Sequence, residues 1–116
     1  KGGRVSCTKG EQMWDYLYAK DAAKMMYLLG SCGASGKTYC LGSGAAKPLR
    51  NYIEMIKAAA NPNAEIGFGD IAYSAGQVMY LCADIQDLRK DTGYVPDYTF
   101  EEGIRETVEW CRKNHA

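Results

Sequence analysis

The sequence has no excess of charge of either sign. Its 14 Lys and Arg residues balance 14 Asp and Glu residues, so the formal net charge is zero. A nucleic-acid-binding protein needs a basic face to neutralise phosphates, and attachment to an anionic membrane surface needs clustered basic residues. We therefore expect neither nucleic acid nor a membrane surface as the main partner.

Long hydrophobic runs are also missing, and the first residues do not have the pattern expected of a leader segment. No apolar run approaches the roughly 18 residues that a membrane span needs. The chain begins Lys1-Gly2-Gly3-Arg4, without Met and without the apolar core of a signal peptide. A start of this kind is expected of a fragment that begins inside a longer coding sequence.

Residues that hold metals are few and scattered. The only histidine is His115, next to the C-terminal residue. Five cysteines are present, and none stands at Cys-x-x-Cys spacing: Cys7, Cys32, Cys40, Cys82 and Cys111. A structural zinc site needs three or four clustered soft ligands, so we expect no metal site. Reduced, mostly buried thiols in a cytoplasmic protein are the simpler interpretation.

The strand patterns are short. Residues 13–18 alternate as a strand does, and large apolar residues occupy both sides. On one side stand Trp14, Tyr16 and Tyr18, and on the other Met13 and Leu17. Residues 38–41 form a second candidate strand, and the Gly-rich stretch 65–81 predicts a loop with one or two more.

Four helices are predicted from apolar stripes and capping residues. The first stripe comprises Ala22, Met25, Met26 and Leu29. The first helix is predicted to begin at an Asp21 cap and to end at Gly30 and Gly33, and the second to run from Pro48 to Asn61-Pro62. The third is predicted to begin at an Asp84 cap and to end near Thr92-Gly93, and the fourth to begin at a Thr99-x-x-Glu102 capping box. Together these elements predict a small α/β domain, with too few strands for a complete doubly wound sheet.

Three patterns suggest chemistry without the context that it requires. Residues 31–38 resemble a phosphate-binding loop, but Ser31 stands where a glycine is needed, and the segment follows a predicted helix and precedes a strand. Tyr16 and Lys20 have the spacing of a catalytic pair on one helix face, but a strand would separate them by roughly 13 Å. Spacing alone selects no acid and base among four candidate carboxylates: Asp15, Asp21, Asp70 and Asp84.

Three stretches, taken in order, resemble one family. Residues 10–23 (Gly10-Glu-Gln-Met-Trp-Asp-Tyr-Leu-Tyr-Ala-Lys-Asp-Ala-Ala) resemble the Arg-Asp-Phe-Val-Tyr-Val-Asp-Asp-Val-Ala segment of extended short-chain dehydrogenases. Residues 39–44 resemble their Tyr-Asn-Ile-Gly-Ser-Gly. Residues 83–110 are similar to their closing pattern, which is an Asp, a short helix, Leu-Gly-Trp-x-Pro, and a helix that begins Glu-Glu-Gly-Leu and ends near a Trp. Order and spacing agree from about Gly10 to Arg112.

The family is the NAD-dependent epimerase/dehydratase group. The resemblance implies an N-terminal Rossmann domain that binds NAD(P) and a smaller C-terminal domain that binds a nucleotide-sugar. This sequence resembles the second part, so residues 1–116 are expected to form a single C-terminal substrate-binding domain with the Rossmann domain absent. The glycine fingerprint, the catalytic Ser/Thr and the helical Tyr-x-x-x-Lys are missing. The resemblance therefore implies no cofactor and no catalytic residue in this chain, and NAD(P) in its parent enzyme.

The expected substrate-binding residues are Trp14, Ser74 and Gln77. In the family, an Arg at the first position grips the sugar-nucleotide diphosphate, and an Arg and an Asp occupy the other two. Replacing both guanidinium groups removes two bidentate phosphate contacts. Trp14 would instead stack on a base or sugar ring, and an ordinary core aromatic is the equally weighted alternative.

Two functions fit these features. The first is the substrate-binding part of a sugar-nucleotide epimerase, dehydratase or reductase, an isomerase or oxidoreductase in which a hydride passes between the sugar and NAD(P). The alternative is a standalone, non-catalytic binding or interaction module derived from that family. A glycine fingerprint about 170 residues upstream would favour the first, and a start codon beside Lys1 the second. Because a strand that is apolar on both faces needs cover on both, we expect a homo-oligomer, most simply a symmetric dimer.

Overall fold

The computed structural model describes residues 3–115. Lys1, Gly2 and Ala116, which belong to the expected single domain 1–116, lie outside the described residues. Within residues 3–115 the helices are α1 (Ala19–Cys32), α2 (Leu49–Ala60), α3 (Gln86–Thr92) and α4 (Phe100–His115). The strands are β1 (Val5–Cys7), β2 (Met13–Trp14), β3 (Lys47–Pro48), β4 (Ile66–Phe68) and β5 (Tyr80–Leu81). The predicted small α/β class, with about four helices and a few short strands, is confirmed.

The strands form two small sheets. β1 and β4 pair in parallel, with Val5 opposite Ile66. β2 lies at the centre of the other sheet, antiparallel to β3 and parallel to β5. The strand predicted over residues 13–18 is therefore too long, because its ladder stops after Trp14. Beyond it, the Asp15 carboxylate accepts the N–H groups of neighbouring segments and replaces the ladder.

The strand predicted over residues 38–41 is wrong. These residues have no regular secondary structure, and Cys40 and Leu41 are exposed. Hydrogen bonds of the Tyr39 side chain hold the segment in place instead. The Tyr39 hydroxyl accepts the Ala34 N–H at 2.8 Å and donates to Asp91 at 2.7 Å.

The first helix begins two residues earlier than its predicted cap. Tyr18 is the N-cap and makes no side-chain capping bond. The prediction that Asp21 caps the helix is wrong, because Asp21 lies within the first turn, where it is buried and accepts the Asp97 N–H at 3.1 Å. Gly33 ends the helix as predicted, while Gly30 lies inside it.

The other helix limits follow the predicted signals closely. α2 begins directly after Pro48 and ends before Asn61. Gly93 ends α3 at a φ of 68°, a left-handed conformation that glycine adopts without strain. Asp84 accepts the Gln86 N–H at 3.0 Å, although the helix has Ile85 as its N-cap.

The capping box of α4 is confirmed. Thr99 Oγ1 accepts the Glu102 N–H at 3.2 Å, and the Glu102 carboxylate accepts the Thr99 N–H at 2.8 Å. Two of the otherwise unpaired N–H groups are thereby satisfied. None of the helices within residues 3–115 combines the length and the apolar character that crossing a membrane requires.

The buried core is small and the molecule is flat. Met25, Ile85, Leu88 and Tyr94 form one buried cluster. The principal extents are 49 × 38 × 18 Å, and the radius of gyration is 16.8 Å. A compact chain of this length would have a radius of gyration of about 13 Å. Few residues are therefore enclosed on all sides.

The cysteines are free thiols, but the expectation that they are mostly buried is wrong. Cys32, Cys40 and Cys111 are exposed, and Cys7 and Cys82 are half-buried. Cys111 is exposed because it lies in the last turns of α4, beyond the part of the helix that other residues cover.

Candidate functional site

The structure brings together the three residues that the resemblance singled out. Trp14 lies in β2, and its indole Nε1 donates to the Val78 carbonyl at 3.3 Å. The Gln77 side-chain Nε2 donates to the same oxygen at 3.4 Å. The Ser74 carbonyl accepts the Gln77 N–H at 3.1 Å, which closes a turn over residues 74–77. Trp14 and this turn therefore form one local surface, here called the Trp14 face.

Trp14 is partly accessible at the surface. It is half-buried and does not belong to the buried core cluster. Its ring is 6.4 Å from the ring of Tyr16, with planes tilted by 35°. The residues that follow the turn are exposed apolar side chains: Val78, Met79, Tyr80 and Leu81. The Trp14 ring thus contacts a polar turn, and exposed apolar residues follow that turn in the chain.

Asp15 binds backbone groups from two separate segments. Oδ1 accepts the Ser43 N–H at 2.9 Å and the Ser43 hydroxyl, and Oδ2 accepts the N–H groups of Gly44 at 3.0 Å and Ala83 at 3.2 Å. Partial burial acts to raise the pKa of Asp15, but these hydrogen bonds outweigh it and hold the pKa below its ordinary value. A Cβ atom on Gly42 would lie 2.7 Å from Oδ2, so this close approach requires glycine. Asp15 is an ionised structural anchor.

Asp70 is also engaged in structure. Its carboxylate accepts two hydrogen bonds from the Arg4 guanidinium, at 2.8 and 2.9 Å, and one from the Ser6 hydroxyl. The bond from Arg4 holds the pKa of Asp70 below its ordinary value. The carboxylate and the guanidinium satisfy one another, so Asp70 lacks the arrangement of a general acid or base.

The structure shows the surroundings of the Tyr16–Lys20 pair and of the loop-like residues 31–38. Tyr16 lies before α1 and Lys20 within it, so the pair does not share a helix face. Lys20 instead forms an ion pair with Glu106, and Lys37 of the glycine-rich turn binds Asp91 at 2.7 Å. The turn leads into an irregular segment and not into a helix. Neither pattern therefore has the local structure that its chemistry requires, and the interpretation of both as accidental stays a prediction.

A cleft of about 420 Å³ lies between α4 and the segments that flank α1 and β3. Its walls include six aromatic side chains: Tyr16, Tyr18, Tyr52, Tyr94, Tyr98 and Phe100. Asp21 and Lys47 are the charged residues in the lining, and none of the three predicted substrate-binding residues takes part. Sequence reasoning missed this cleft because its aromatics come from three stretches that are far apart in the sequence, which are residues 16–18, Tyr52 and residues 94–100.

The aromatic rings of the cleft form two contacting groups. The Tyr52 ring lies 4.8 Å from Tyr16 and 4.7 Å from Phe100, while Tyr18 and Tyr98 are 4.9 Å apart. Burial raises the pKa of Tyr94 to about 12, and the nearby Asp21 carboxylate adds to the effect. Tyr94 therefore remains neutral at physiological pH.

No protein-family model matches the chain. It is 29% identical over 114 residues to the dTDP-glucose 4,6-dehydratase of Shigella flexneri, an alignment that covers 91% of this chain and 31% of the relative. The chain thus spans about a third of the length of the curated relatives that it matches.

Solved structures show the same fold. The UDP-glucose 4-epimerase of Thermotoga maritima, solved with UDP-glucose, has a TM-score of 0.86 at 22% identity, over 99% of this chain and 37% of that one. The UDP-N-acetylglucosamine 4-epimerase of Methanobrevibacter ruminantium, solved with UDP-N-acetylmuramic acid, has a TM-score of 0.80 at 24% identity, over 97% and 35%. In sequence and in fold, the chain is thus a relative of the NAD-dependent epimerase/dehydratase family that corresponds to the C-terminal part of its members.

Proposed function

We propose that this chain is the nucleotide-sugar-binding part of an NAD(P)-dependent sugar-nucleotide epimerase, dehydratase or reductase, and that it is inactive by itself. The observation that carries the proposal is the collinear match over 114 residues to a dTDP-glucose 4,6-dehydratase, which reaches only 31% of that enzyme. The remaining two-thirds of the relative would supply the NAD(P)-binding Rossmann domain and the catalytic groups.

The contacts of the described residues support inactivity of the chain alone. Asp15 and Asp70 are occupied by structural donors, and Lys20 and Lys37 by carboxylates. A general acid or base must reach the reacting group with a proton to give or to accept. These four groups are committed elsewhere, so the chemistry is expected to come from the parent enzyme.

The Trp14 face is the proposed contact with the nucleotide-sugar. An indole ring presents a wide apolar surface for a base or a sugar ring, and the exposed Ser74 and the half-buried Gln77 offer polar atoms beside it. This face has lost the two guanidinium groups that the resemblance predicts. We therefore propose that stacking replaces the bidentate hold on the diphosphate.

The exposed apolar surface supports a covering partner. Met26 and Tyr27 on α1 are 60% and 75% exposed, and Leu41 lies on a segment without a strand partner. Apolar patches of this kind usually mark an interface. We propose that the Rossmann domain of the parent covers them and that, without it, copies of the chain associate. The five free cysteines fit a reducing compartment, so a cytoplasmic location remains part of the proposal.

The test uses the full coding sequence that contains residues 1–116, in parallel with the chain alone. Each protein is incubated with NAD⁺ and with dTDP-glucose or UDP-glucose, and the sugar is followed by NMR. We expect conversion by the full protein and none by the chain. A full protein that has no glycine fingerprint and binds no NAD⁺ would overturn the proposal and leave the standalone, non-catalytic module as the function.

A further inference from the structure

The aromatic cleft contains one buried charge. Asp21 lines the cleft and is only 3% exposed, whereas Lys47, the other charged residue of the lining, is exposed. Water and salt screen an exposed ammonium far more than a buried carboxylate. Asp21 is therefore the charged group of the lining that solvent screens least.

Asp21 lacks a cationic partner. Among the described residues, its carboxylate accepts one hydrogen bond, from the Asp97 N–H to Oδ1 at 3.1 Å. Within residues 3–115, no Lys, Arg or His nitrogen lies within 4.0 Å of its carboxylate. The lysine one turn further along α1, Lys24, is held by Asp97 at 2.8 Å and by the Val95 carbonyl at 3.0 Å. A buried charge without a counter-charge is costly, so the site gains most from a cation.

The rings of the cleft suit the same kind of ligand. An aromatic face attracts a cation within about 6 Å of its centre. Lys20, which is not part of the lining, already lies 5.5 Å from the centre of the Tyr98 ring and 6.0 Å from that of Tyr18. These rings thus accept positive charge in the folded chain.

We propose that the aromatic cleft is a binding site for a small organic cation, of the substituted-ammonium class, with the charged nitrogen held by Asp21 and the surrounding tyrosine rings. The volume of about 420 Å³ lies within the range of small-molecule sites. A neutral apolar ligand would use the rings alone and leave the carboxylate unpaired. The site is separate from the Trp14 face, because none of Trp14, Ser74 and Gln77 lines it.

The experiment compares choline with 3,3-dimethyl-1-butanol, which has the same shape and no charge. Both are titrated into the 116-residue chain and followed by ¹H–¹⁵N NMR. We expect choline to bind about tenfold more tightly, as a desolvated cation–π and carboxylate site predicts. The shifts should concentrate on residues that line the cleft. Equal affinity for both compounds, or choline shifts confined to other surfaces, would overturn the proposal.

Two variants assign the effect to the carboxylate. Asp21→Asn keeps an oxygen for the Asp97 N–H and removes the charge. The ratio of the affinity for choline to that for the neutral analogue should therefore fall close to one. Asp87→Asn is the matched control, since Asp87 is exposed and does not line the cleft. The affinity ratio of this variant should stay near the wild-type value. An Asp21→Asn protein that retains the full preference contradicts the proposal. If that variant does not fold, Tyr98→Leu must instead lower choline affinity more than that of the neutral analogue.

Discussion

Trp14 and Gln77 donate to a single acceptor, the carbonyl oxygen of Val78, at 3.3 and 3.4 Å. This shared acceptor fixes the indole beside the turn 74–77 with a hydrogen bond, at a position outside the buried core cluster. The ring is thus oriented by a polar contact, while part of it stays accessible at the surface. An oriented and partly accessible ring is suited to contact a ligand.

Replacing Trp14 by Ala in the parent enzyme should raise the Michaelis constant for the nucleotide-sugar by about tenfold, the scale of one lost stacking contact. Thermal stability should fall much less. Steady-state kinetics and a melting curve measure the two effects, and Trp14→Phe is the control, since it keeps a ring and loses the bond to Val78. A large fall in melting temperature with unchanged kinetics would identify Trp14 as an ordinary packing residue.

The 116-residue chain should bind neither NAD nor NADP. Dinucleotide binding needs a glycine-rich turn at the start of a helix, whereas the glycine-rich turn within residues 31–38 lies at the C-terminal end of α1. Isothermal titration calorimetry is the direct measurement. Micromolar affinity for NAD would contradict the prediction.

The isolated chain should self-associate at micromolar concentration. β5 lies at the edge of its sheet, and Tyr80 and Leu81 on it are 66% and 54% exposed. Unpaired edges with apolar side chains readily pair with another copy. Sedimentation equilibrium should show a dimer, and Leu81→Lys should shift the equilibrium towards the monomer. A strictly monomeric wild type that also fails to bind a hydrophobic dye would rule this out.

Asp15→Asn should lower the free energy of unfolding at pH 7 by roughly 1–3 kcal/mol, because hydrogen bonds to a charged acceptor are lost. The folded-state pKa of Asp15 is depressed, so its stabilisation is complete above the unfolded pKa of about 3.9 and is lost as the pH falls through the lower folded value. Urea unfolding between pH 6 and about pH 3 should therefore bring the two proteins closer in acid. A stability gap independent of pH would contradict this assignment.

Thr99→Ala should destabilise the chain by about 1 kcal/mol, the usual cost of losing an N-cap side chain. Thr99→Ser keeps the hydroxyl that accepts the Glu102 N–H and should cost much less. The two variants are compared by urea unfolding monitored by circular dichroism. Equal losses in both would show that the methyl group, and not the hydrogen bond, is important.

The sequence predicted best the features whose causes are local. The capping box at Thr99 and Glu102 and the left-handed stop at Gly93 depend on residues within one turn of the helix end, so they could be inferred from spacing. Residues 38–41 could not, since a strand exists only where a partner pairs with it. The apolar pattern of residues 38–41 is that of a strand, but within residues 3–115 no segment pairs with them.

The candidate sites show the same division. Trp14 is far in the sequence from Ser74 and Gln77, and a resemblance was needed to group the three. The cleft around Asp21 had no comparable signal, because the sequence suggested a helix cap for this carboxylate. The structure gives Asp21 a different partner, Asp97, at a separation of 76 residues.

The flat shape of the molecule determines how it should respond to denaturant and heat. Its accessible surface is 7861 Å², against about 6,300 Å² for a compact protein of this mass. Unfolding therefore exposes less new surface than is usual for 116 residues, and both the denaturant m-value and the heat-capacity increment scale with that area. The chain alone should melt over a wide temperature range, with a heat-capacity increment below about 1.4 kcal/mol/K.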